Sequence, residues 1–114
     1  MAVISFSEES SDAAWVVAGW AYRQVLADVL ALHPNDSEMA STFDRAEAVG
    51  YLRLDCLDVA LEMRLTTAIK ETATSILSGK FPSGIVERFH DEHTTQEYLK
   101  GLRMLLEAAE SRSA

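Results

Sequence analysis

The chain has 114 residues, 48% of them hydrophobic and 25% charged, which excludes a disordered polymer and predicts one folded domain over residues 1–114. Eighteen acids against ten bases give a net charge of -8 and a pI near 4.7, a balance that argues against gripping phosphate backbones or anionic lipid. Cys56 is the sole cysteine, so no intramolecular disulfide can form and a reducing, cytoplasmic setting is expected.

In chain order, residues 1–7 carry no Lys or Arg, and Glu8, Glu9 and Asp12 precede the most apolar stretch. That order does not match a secretory signal, and Arg23, Gln24 and Asp28 interrupt the stretch too early for a transmembrane span. A first helix is predicted from Ser10 or Ser11, whose hydroxyls can cap free amides, to about Leu32. His33 suits its negative end, and Pro34 cannot continue it. Trp15, Trp20 and Tyr22 lie within this apolar run and read as packing aromatics.

After the break, Asn35 with Glu38 forms a possible capping box, as does the weaker pair Ser41 with Asp44. From about 42 to 78 only Gly50 interrupts a helical pattern, at a cost of about 1 kcal/mol relative to Ala, so one long helix is expected there. Its core stripe would comprise Phe43, Gly50, Leu54, Leu57, Leu61, Leu65, Ala68, Thr72 and Ile76. Gly79 tolerates left-handed geometry, and Phe81 and Pro82 mark a loop over 80–84. A short helix over 85–91 and a longer one over 95–111 follow, with Thr94 and Glu97 as the capping box between them. The longer one presents Tyr98, Leu99, Leu102, Leu105, Leu106 and Ala109 on one face. The expected fold is therefore all-α, a bundle of about four helices around one long central helix, with Trp15, Leu26, Leu54, Leu57, Leu61, Leu65 and Leu102 in its core.

Two further surfaces of the long helix carry the functional reading. Asp44, Glu47, Asp55, Asp58 and Glu62 form an acidic ridge; clustered acids repel one another, and a basic protein partner would relieve that repulsion and be steered by it. Opposite lies a second apolar stripe, Val49, Leu52, Cys56, Val59 and Met63, of which Leu52, Cys56, Val59 and Met63 would form a homodimer interface if no other helix covers them. The leading expectation is a non-enzymatic interaction module of the inhibitor, immunity or antitoxin kind, needing no cofactor and binding neither nucleic acid nor membrane. An alternative is a divalent-metal-dependent hydrolase using Asp55, Asp58 and Glu62 with Glu87 or His90. Glu87, His90, His93 and Glu97 have suggestive spacing, yet only one Glu-x-x-His unit occurs, so no metal site is assigned. A homodimeric structural module is the third reading. Cys56, among leucines and beside Asp55, reads as a buried thiol.

Overall fold

The computed structural model describes residues 2–6, 14–54, 57–79 and 92–113, with side chains of the last helix described to residue 110. Within these residues the chain runs β1 (Ala2–Ser5), β2 (Ala14–Val17), α1 (Gly19–Leu32), α2 (Ser37–Val49), β3 (Tyr51–Arg53), α3 (Val59–Leu77) and α4 (Glu92–Ser113). The strands form one sheet in the order β2-β1-β3. The fold is thus mixed, four helices with a three-stranded sheet, and the all-α expectation is corrected.

The sheet assembles from short β-branched and aromatic runs. β1 pairs antiparallel with β2, Ile4 opposite Trp15 and Val3 opposite Val16, and parallel with β3, Ile4 opposite Leu52 and Val3 opposite Tyr51. Side chains alternate across a strand, so Ile4, Trp15 and Leu52 share the face that enters the core, where all three are buried. Val3, Val16 and Tyr51 share the other face, where Val16 is 51% and Tyr51 43% exposed. α4 packs on β2, and the Trp15 Nε1–H donates to the Gly101 carbonyl at 2.9 Å.

Two sequence expectations fail at identifiable places. Ala14, Trp15, Val16 and Val17 lie in β2, and α1 begins only after Ala18, which offers no side-chain cap; Ser10 and Ser11 lie outside the described residues. A four-residue apolar run is compatible with either a buried helix or a strand by periodicity alone. The predicted long helix over 42–78 is broken at Gly50. This residue adopts φ 76°, and its N–H closes α2 on the Ala46 carbonyl at 2.8 Å, the left-handed termination that glycine permits without a Cβ penalty. Its own carbonyl accepts the Val3 N–H at 3.1 Å, which starts the parallel ladder and turns residues 51–53 into a strand.

The ends of α1 and α3 follow the sequence. α1 ends at Leu32 with His33 as its C-cap, α3 ends at Leu77, and Gly79 has φ 74°. The α2 cap is Asp36, whose carboxylate accepts the Met39 N–H at 3.0 Å, one residue beyond Asn35. Leu65, Ala68, Thr72 and Ile76 form the buried face of α3, whereas Leu57 and Leu61, expected in the core, are partly buried against it. α4 buries Tyr98, Leu102, Leu105 and Ala109. It runs unbroken from Glu92 through Thr94 and Thr95, so the break expected there is absent; the segment 85–91 lies outside the described residues.

Gly50→Ala separates the two architectures by sign. In an uninterrupted helix the alanine would stabilise by about 1 kcal/mol. At φ 76° it should instead cost about 1–2 kcal/mol, read as a lower urea midpoint with unchanged slope.

Candidate functional site

α2 arises from an amphipathic pattern in which Met39, Thr42, Phe43 and Ala46 are buried at three- and four-residue spacing. Asp44 and Glu47 fall beside that face and are exposed. They rim a cleft of about 200 Å³ between α1 and α2, floored by Leu26, Leu30 and Phe43 and walled by Ala27, Ala40 and Arg23. The Arg23 guanidinium turns back toward Gly19, where an added Cβ would come within 3.3 Å of Nη1. Among the described residues, neither Asp44 nor Glu47 makes an ion pair.

The two helices are tied together just beneath these acids. The buried Tyr22 hydroxyl donates to the Ala46 carbonyl at 2.8 Å. Burial, with a smaller contribution from the negative charge of Glu47, pushes the Tyr22 hydroxyl up to about 12.

The five acids of the expected ridge do not line one helix. Asp44 and Glu47 lie on α2, Asp58 is exposed at the start of α3 beyond β3, and Glu62 is 7% exposed; Asp55 lies outside the described residues. Glu62 turns inward because the buried face of α3 is wider than the expected stripe and takes in Thr66, Ile69 and Ala73 beside it. The expected dimer stripe separates because residues 51–53 form a strand instead of continuing the helix. Leu52 is in the core at 2% exposure, whereas Val59 and Met63 stand exposed one turn apart on α3. Leu52 is therefore unavailable to an interface, and Cys56 lies outside the described residues. No three His, Cys, Asp or Glu side chains among the described residues lie together as a metal site. Glu87 and His90 lie outside them. His93 and Glu97 share a face of α4 and line a hollow with Trp20.

Two polar features were not singled out from sequence. Asp28 is 1% exposed, accepting from the Tyr98 hydroxyl at 2.6 Å and the Gln24 amide at 3.0 Å, which fastens α1 to α4. Its signal is a carboxyl group placed between Val25 and Val29 on a buried helical phase, where a polar group needs partners. The second is Arg64, whose Nη2 lies 3.0 Å from both Asp36 Oδ1 and Glu38 Oε1. The Met39 N–H foremost, and then Arg64, hold the Asp36 carboxyl below its ordinary range, against an opposing contribution from desolvation.

No family model, curated protein or solved structure matches the chain, so the site stands on its own geometry. No helix among the described residues is long and apolar enough to cross a membrane.

Tyr22 yields an alkaline signature. Its folded pKa, about 12, exceeds the ordinary tyrosine value, so its contribution to stability is fully present below pH about 10 and is lost as pH rises toward about 12. Ultraviolet titration should show late-ionising tyrosine absorbance in wild type, and the amplitude of that late step should fall by one tyrosine in Tyr22→Phe. For the core tie, Tyr98→Phe removes one partner of buried Asp28 and should cost about 1–3 kcal/mol in denaturant melts.

Proposed function

We propose that this chain is a protein-binding module, a single cytoplasmic domain that recruits a basic protein partner onto the α1–α2 cleft. The observation that carries this reading is the pairing of an apolar floor, Leu26, Leu30 and Phe43, with two exposed carboxylates, Asp44 and Glu47, that have no ion-pair partner among the described residues. A Lys or Arg side chain suits that arrangement, because its methylene stem covers apolar surface while its charged head stays at the wet rim. At about 200 Å³ the cleft is smaller than the roughly 300–1,000 Å³ typical of small-molecule sites, which favours one anchoring side chain over a free ligand. The net charge of -8 supplies long-range steering toward a cationic surface. An inhibitor, immunity or antitoxin role has this chemistry.

The test begins with cross-linking in the source cells, followed by reconstitution of the recovered complex from purified components. Association should slow as ionic strength rises from about 0.01 M to about 0.1 M, where the Debye length falls from about 30 Å to about 10 Å. Asp44→Asn with Glu47→Gln should slow association severalfold, weaken binding correspondingly and flatten that salt dependence, since charges at a wet rim act mainly through steering and exposed pairs are worth about 0.2–1 kcal/mol each. Wild-type affinity in the double variant would overturn the assignment of the cleft.

A further inference from the structure

A larger hollow lies elsewhere on the molecule, between the α1–α2 turn and the outer side of α3. Its volume is about 570 Å³, within the roughly 300–1,000 Å³ range of small-molecule sites. Met39 and Ala68, both almost fully buried, form an apolar base with Ala60, and Met63 stands at the edge at 59% exposure. Methionine side chains are flexible and polarizable, and they adapt to apolar bodies of varied shape.

The polar margin decides which head group this base would accept. Arg64 is the margin's guanidinium, and it is shared between Asp36 and Glu38, each 3.0 Å from Nη2. Glu71 also lines the hollow and makes no ion pair among the described residues. Asp36 and Glu38 already match the Arg64 charge. Of the carboxylates that line the hollow, Asp36 and Glu71, it is therefore Glu71 that a ligand cation would pair with, whereas an anion would be repelled by it. The remaining titratable lining group is the His33 imidazole. We propose that this hollow binds a small amphipathic amine, its apolar body on Ala60 and Met63, over the buried Met39 and Ala68, and its ammonium beside Glu71. The site is independent of the α1–α2 cleft and of the partner assigned to it.

The chain carries its own reporters. Of its four methionines, Met39 and Met63 line the hollow, whereas Met104 projects from α4 at 52% exposure. With ¹³C-methyl-labelled methionine, titration of 2-phenylethylamine should shift the Met39 and Met63 methyl signals saturably and leave Met104 in place. The neutral 2-phenylethanol should bind about threefold to fivefold more weakly, the yield of one partly exposed ion pair, and 3-phenylpropionate more weakly still. Glu71→Gln should remove most of the preference for the amine over the alcohol, while Thr67→Trp at the exposed margin should block all three probes. Asp44→Asn should change none of this, which keeps the result separate from the partner-binding test. Absence of saturable shifts at Met39 and Met63, equal binding of the three probes, or a preference that survives Glu71→Gln would each overturn the proposal.

Discussion

Everything in the architecture depends on the parallel pairing of residues 51–53 with the first strand. Ile4 is flanked by Trp15 on one side and Leu52 on the other, so β1 is the central strand and its side chain sits at the middle of the buried sheet face. For Leu52 to reach that place α2 must stop, and Gly50 stops it by taking left-handed geometry while lending its carbonyl to Val3. The helices then have a floor to pack against. α4 lies on β2 and against α3, and α1 contacts β1, α2 and α3.

That same constraint explains what could be read in advance. Helix ends with local chemical causes were visible: His33 and Pro34 after α1, Gly79 after α3. So were helical faces long enough to repeat, such as Leu65, Ala68, Thr72 and Ile76, or Tyr98, Leu102, Leu105 and Ala109. The strands were not, because β3 has three residues and its partner lies at residues 3–5. A segment that short has no period of its own, and its identity is set by a neighbour distant in sequence. Gly50 was read for its modest cost inside a helix, when its capacity for positive φ was the operative property.

The error propagated to the candidate site in a definite way. Residues before the break kept their expected exposure, which is why Asp44 and Glu47 remain available together. After it, the expected face of α3 holds for Leu65, Ala68, Thr72 and Ile76, but the buried face is wider and takes in Glu62, and residues 51–53 leave the helix for the sheet, which parts Leu52 from Val59 and Met63. The cleft and the hollow could not be anticipated from α2 or α3 alone, since each is closed by a second element: α1 for the cleft, and the turn from His33 to Asp36 for the hollow.

Trp15 and Asp28 are also held from far along the chain, through Gly101 at a separation of 86 residues and Tyr98 at a separation of 70. Closing such long loops costs entropy before any contact repays it. During synthesis the sheet and α1 therefore emerge well before the helix that covers them. Until α4 arrives, the Trp15 indole lacks the Gly101 carbonyl and the Asp28 carboxyl lacks the Tyr98 hydroxyl, keeping Gln24 from its own helix. The nascent chain must carry an unfinished apolar surface until residues 92–113 have been made, so stable burial of β2 and α1 is a late event relative to their own synthesis.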